Sequence, residues 1–280
     1  MSGYDQTRLG RSGQVFQRAV EEDRSVLVGY LPVGFPDVAA SIAAMRAATE
    51  GVDGTGCDLL EIGLPYSDPV MDGVAIQHAG TAALDRGVRT RDLFSAVEQV
   101  AATGTLPLTM TYWNLVERYG VDRFARDLAA AGGAGLITPD LTPDEAEEWI
   151  AASDRYQLDR VFLVAPSSTD ERVQATVAQC RGFVYATAVM GVTGTRDQVS
   201  DAAPRLVSRV RELGPGVPVG VGLGVSNGEQ AATLARHADG VIVGSALVKT
   251  LIAADQQQTP TDTRALRELV ADLARGVRAR

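Results

Sequence analysis

Eight short apolar runs separated by longer amphipathic stretches constrain this 280-residue chain more than any other feature. They fall at 25–30, 58–62, 107–111, 135–138, 159–164, 183–187, 218–221 and 240–243. Each is close to continuously apolar, as a strand covered by helices on one side and a packed interior on the other must be. Helical patterns lie between them, at 38–49, 92–101, 121–131, 143–152, 171–179, 203–213 and 227–237. In the second of these, Leu93, Val97 and Val100 recur as one stripe. Thr142-Pro143 followed by acids reads as a helix start, with proline in the first turn and negative charge against the positive end of the dipole.

Strands alternating with helices permit a closed (β/α)8 barrel or an open doubly wound sheet. Eight strands and an even composition favour a single α/β TIM-barrel domain over 1–280, with the barrel proper at about 24–255. An extra N-terminal helix at 14–23 is expected to cover the barrel bottom. A polar loop at 256–263 leads to a C-terminal helix at about 264–277, where Leu266, Leu269, Val270 and Leu273 fall at helical spacing.

Scarce residues narrow the chemistry. The formal net charge of −9 argues against nucleic acid or an anionic membrane as a general partner, while leaving room for a local phosphate site. Cys57 and Cys180 have no paired spacing and read as small apolar packing residues. His78 and His237 are the only histidines, and neither stands in a metal-ligand spacing, so no metal is expected. His78 reads as the start of a short helix and His237 as a helix end. Lys249 is the single lysine and falls inside a helical segment, a poor place for a Schiff-base amine. The polar N-terminus lacks the apolar core of a signal peptide and no run is long enough to span a bilayer, so a soluble cytoplasmic protein is expected. Proton transfer then falls to carboxylates, tyrosine or backbone dipoles.

In a barrel of this kind chemistry sits at the C-terminal ends of the strands. Glu61 stands inside the second apolar run, and strand alternation sets it with Leu59 and Gly63 facing inward while Leu60 and Ile62 face the helices. A buried carboxylate with no basic neighbour in sequence points to a tuned acid–base group. Asp72 follows in a Gly/Pro-rich loop with Asp68; Asp68, before a proline, reads as a turn residue, and Asp72-Gly73 fits either a turn or a second functional acid. Glycine-rich loops follow runs seven (220–228) and eight (Gly244-Ser245), the usual home of a substrate phosphate in barrels. A further loop after run six holds Gly191 and Gly194 around Val192-Thr193, a composition that suits a mobile lid.

Several strings together resemble the tryptophan synthase α chain. They are Tyr30-Leu-Pro-Val-Gly-Phe-Pro36, Glu61-Ile-Gly-Leu-Pro-Tyr-Ser-Asp-Pro-Val-Met-Asp-Gly73, Gly191-Val-Thr-Gly194, Gly222-Leu-Gly-Val-Ser226 and Gly244-Ser245. The resemblance implies retro-aldol cleavage of indole-3-glycerol phosphate to indole and glyceraldehyde 3-phosphate. It assigns Glu61 and Asp72 as catalytic carboxylates and places Tyr30 and Tyr185 at the indole pocket. Thr193 falls in the lid, and Gly194, Gly224, Gly244 and Ser245 at the phosphate. It further implies no cofactor in this chain and a partner β chain carrying pyridoxal phosphate, in an α2β2 heterotetramer. The 68–72 loop and the lid would lie on the side facing that partner. A free-standing lyase, another phosphate-binding barrel of aromatic amino-acid synthesis, and a non-catalytic barrel that activates a partner are the alternatives.

Overall fold

The computed structural model describes residues 3–187, 202–222 and 224–279. In chain order the first half runs α1 (Gly10–Glu21), β1 (Val26–Pro32), α2 (Val38–Glu50), β2 (Leu59–Gly63), α3 (Val74–Asp85), α4 (Thr90–Ala101), β3 (Leu106–Met110), α5 (Trp113–Tyr119), α6 (Val121–Ala130) and β4 (Gly135–Ile137). The second half runs α7 (Glu147–Arg155), β5 (Asp159–Val161), β6 (Leu163–Val164), α8 (Asp170–Gln179), β7 (Val184–Thr187), α9 (Ala202–Leu213), β8 (Val219–Gly222), α10 (Gly228–Ala235), β9 (Gly240–Val243), α11 (Ser245–Gln256) and α12 (Arg264–Arg278).

All ladders are parallel, in the order β5-β4-β3-β2-β1-β9-β8-β7-β6. The two ends of this order are one chain segment interrupted at Phe162, so the sheet closes on itself as the expected eight-membered barrel. The fifth run is thus two short strands rather than one.

Alternation along each strand sorts the apolar residues into two cores. Leu59, Leu108, Val161, Phe183 and Ile242 point inward and pack with one another. Leu60, Ile62, Leu136 and Val184 point outward into a larger shell formed with the helices, which also takes up Cys57 and Cys180. Both cysteines are buried and free. The stripe Leu93, Val97 and Val100 of α4 is buried in that shell, and α12 contributes Leu266, Val270 and Leu273.

The N-terminal helix starts earlier than expected and plugs the barrel floor. Phe16 packs against Phe183 with ring centroids 5.0 Å apart. The fully buried Asp159 at the start of β5 ties this plug down by accepting from the Arg11 amide (3.1 Å), the Ser12 amide (2.6 Å) and the Ser12 hydroxyl (2.6 Å). Polar side chains start several other helices: Asp37 accepts from the Ala40 amide at 2.7 Å and Asn227 from the Gln230 amide at 2.9 Å.

Three local expectations need correcting. The stretch 143–152 is not one helix: Pro143–Glu145 forms a single 3-10 turn, and α7 begins only at Glu147. His78 does not open a helix but lies one turn inside α3, which starts at Val74, because Gly73 in extended conformation lets the chain turn in directly. His237 lies two residues beyond α10 rather than in it. Lys249 is exposed on α11, as a helix-surface lysine.

Candidate active site

A cavity of about 300 Å³ opens at the C-terminal ends of the strands. Nearly every barrel position contributes to it: Tyr30 from β1, Glu61 from β2, Met110 from β3, Leu163 from β6, Tyr185 from β7, Gly222 from β8 and Ile242 from β9. Asp72, Ile76, Gly224, Gly244 and Ser245 complete the wall from the following loops and helices. Of the site residues expected from sequence, Glu61, Asp72, Tyr30, Tyr185, Gly224, Gly244 and Ser245 are brought together here. Thr193 and Gly194 lie outside the described residues.

Glu61 is fully buried, in register with Tyr30 on β1 and Leu108 on β3. Neither carboxyl oxygen has a hydrogen-bond partner among the described residues. Burial alone therefore acts on it and pushes its carboxyl up to about 8. A lone acid in that setting holds its proton at neutral pH and can surrender it to a substrate atom.

Asp72 sits across the cavity in the loop between β2 and α3. It is half-buried, and desolvation raises its carboxyl above the ordinary aspartate value while a hydrogen bond from Tyr112 pulls it back down. The Tyr112 hydroxyl lies 3.4 Å from Asp72 Oδ1 and accepts from the Val70 and Met71 amides at 3.0 Å each. Tyr112 stacks on Tyr66 at 5.0 Å between centroids, and the next residue is fixed through the Trp113 amide, which donates to Asp140 at 2.9 Å. Sequence reasoning passed over Tyr112, although an aromatic two residues past the end of β3 lies where such barrels carry chemistry. Asp68 is exposed and accepts from the Ser67 hydroxyl at 2.6 Å, the turn role expected of it.

The two cavity tyrosines are seated by glycines. A Cβ at Gly63 would overlap the Tyr30 hydroxyl, and one at Gly222 would sit 2.6 Å from the Tyr185 hydroxyl. Burial, then the nearby carboxylates, raise both phenols well above their usual range, so they stay protonated. Gly224 adopts φ +71°, a left-handed conformation suited to glycine. Beside it, α11 starts at Ser245 with no side-chain cap and no acid in its first turn. Its first amides therefore face the cavity unclaimed by any capping side chain, a setting favourable to an anion.

Fold and cavity together define a barrel enzyme built for acid–base work on a small substrate. The family model for the tryptophan synthase alpha chain matches residues 16–278. The tryptophan synthase alpha chain of Salinispora tropica is 62% identical over 96% of this chain and 98% of its own length, and that of Mycobacterium avium is 58% identical over 98% and 97%. A solved structure of tryptophan synthase from Mycobacterium tuberculosis superposes with a TM-score of 0.87 at 56% identity, covering 96% of this chain and 98% of that one. The tryptophan synthase subunit alpha of Legionella pneumophila retains a TM-score of 0.83 at 28% identity, covering 96% and 98%. The chain belongs to the tryptophan synthase alpha chain family. With the family comes its reaction, the lyase cleavage of indole-3-glycerol phosphate in tryptophan biosynthesis, performed alongside a β partner.

Proposed function

We propose that Glu61 and Asp72 divide the work of that cleavage between them. The substrate indole lies between the two carboxyls, walled by Met110, Leu163 and Ile242, with Tyr30 and Tyr185 closing the pocket. Protonated Glu61 delivers its proton to indole C3, which turns the ring into an electron-accepting indolenine. The bond from C3 to the side chain then breaks, and its electron pair returns to the ring to restore indole. The hydroxyl on the departing carbon becomes the aldehyde of glyceraldehyde 3-phosphate and gives its proton to the Glu61 carboxylate, so the acid ends as it began. Asp72, ionised, accepts the indole N–H and stabilises the positive charge that develops there. Gly224, Gly244 and Ser245, with Gly194, hold the phosphate and supply binding energy that orients the reacting carbon. Thr193, outside the described residues, keeps the lid role that the family resemblance implies.

The observation that carries this reading is Glu61 itself, buried at the barrel mouth with both oxygens unpartnered among the described residues. Glu61→Gln keeps shape and removes proton exchange, and it should lower the cleavage rate by about 10²-fold or more, as loss of a general acid–base group does. Wild-type cleavage should in turn fall as pH rises through about 8, where Glu61 loses its proton. Both are read as indole released from indole-3-glycerol phosphate, and near-normal turnover by a folded Gln variant removes Glu61 from the mechanism.

The same reading places pyridoxal phosphate on the β chain. The single lysine, Lys249, is exposed on α11 and is not among the described residues that line the cavity, a poor position for a Schiff base to that aldehyde. The loop around Asp72 supports a docking role: Val70 is 78% exposed, Met71 50% and Val74 84%, an apolar rim beside the cavity that a β chain would cover in an α2β2 assembly. No helix among the described residues is long and apolar enough to cross a membrane, which accords with work in the cytoplasm. Finally, 1–280 is read as one domain, since α12 packs into the outer shell and α1 into the inner core of the same barrel.

A further inference from the structure

We infer that Tyr112 is a positioning residue for Asp72, clamping its loop and fixing which carboxylate oxygen faces the substrate. The inference rests on the catalytic reading of Asp72 and extends it. A phenol has one hydrogen to donate and two lone pairs to accept with. Both acceptor positions of Tyr112 are filled by backbone amides, Val70 and Met71, each at 3.0 Å. An amide N–H can only donate, so the phenolic hydrogen has one place left to go, the Asp72 Oδ1 at 3.4 Å. Oδ1 is thereby engaged and Oδ2 is left for an incoming N–H.

The clamp is built from a rigid base. Tyr112 is 5% exposed, stands two residues past the end of β3, stacks on Tyr66, and is followed by the Trp113 amide held on Asp140. It therefore does not adapt to the loop; the loop adapts to it. Three consecutive residues, Val70, Met71 and Asp72, are held at one oxygen, so the acid and the exposed apolar rim move as a unit. Tyr30 and Tyr185 feel the charge of Asp72 across the cavity, Glu61 lines the same cavity, and Asp140 acts on Tyr112 from behind. Each of these is an acid or a phenol, so among the described residues the hydrogen bond from Tyr112 is what opposes desolvation at Asp72.

The test compares Tyr112→Phe, Asp72→Asn and the double variant, in the full chain saturated with a β chain, by steady-state cleavage of indole-3-glycerol phosphate across pH. Tyr112→Phe should lower kcat about tenfold, the scale of one hydrogen bond to a charged group, with KM within about twofold. Its acidic limb should move to higher pH, because Asp72 loses the bond that held its proton affinity down. The double variant should be no slower than Asp72→Asn alone, since Tyr112 acts only through that carboxylate. Replacing Tyr112 with a ring-fluorinated tyrosine, a stronger donor with the same packing, should move the acidic limb the other way, which keeps the test decisive if the Phe variant folds poorly. Unchanged kcat and pH profile in both Tyr112 replacements, with Asp72→Asn impaired, overturns the clamp and leaves Asp72 catalytic. Full activity of Asp72→Asn overturns the reading on which the clamp stands.

Discussion

The proton that we propose Glu61 gives to the substrate also carries a cost in stability. Folded, its carboxyl is raised to about 8; an unfolded chain would ionise it near 4.5. Between those values the native state binds the proton and the unfolded state does not, so stability falls as pH rises through that window. Glu61→Gln removes the titration. Denaturant unfolding at pH 6 and pH 9 should show the variant gaining about 3 kcal/mol on wild type between the two, given ~1.4 kcal/mol per pKa unit. A gain that does not change with pH would mean that the acid is neutralised by a group other than its own proton. Glu61 was legible in the sequence because strand alternation alone says which way it points. Tyr112 was not, because its importance arises from amides some forty positions away that no local pattern brings near it. The glycine at 222 was legible as a loop signal but not as the seat of the Tyr185 hydroxyl, which only the packed barrel reveals.

Among elements, α1 depends on one side chain of β5. Three donors from Arg11 and Ser12 converge on the Asp159 carboxylate, and a Cβ at Gly182 would crowd both Ser12 and Asp159. Asp159→Ala leaves these buried donors unpaired, which should cost about 2–4 kcal/mol of unfolding free energy. Cleavage kinetics at 25 °C should stay within about twofold of wild type, since Asp159 lies at the opposite end of the strands from the cavity. Equal stability of the variant would show that the helix is held by its other contacts, Val15, Phe16 and Ala19 in the inner core and Arg11 on the Gly133 carbonyl, without Asp159. The run of apolar residues at 159–164 announced a strand, yet nothing in it announced the break at Phe162 or the anchoring role of its first acid. α3 was also hard to read, since it follows a loop whose glycine, prolines and polar residues hide where the helix begins, and α5 because it has only 7 residues and only two residues separate it from β3. The eight-fold alternation survived these gaps because closure depends on the number and burial of the strands, not on where each helix starts.

At the level of the whole molecule, the apolar rim and the catalytic cavity share one face. Val74→Ser alters the most exposed apolar residue of that rim without touching the cavity wall. Burying a valine contributes roughly 1.5–3 kcal/mol, so the variant should bind a β chain about tenfold more weakly, measured by titration calorimetry, while the chain alone cleaves at its usual rate. Undiminished affinity would place the partner elsewhere. The closed wall of strands also matters to anyone hardening this molecule against heat. Better filling around Trp149 would strengthen the outer shell from the far side of that wall. The same effort spent on Leu59, Leu108 or Phe183 would press upward on the pocket, so durability and turnover can be adjusted separately only from outside.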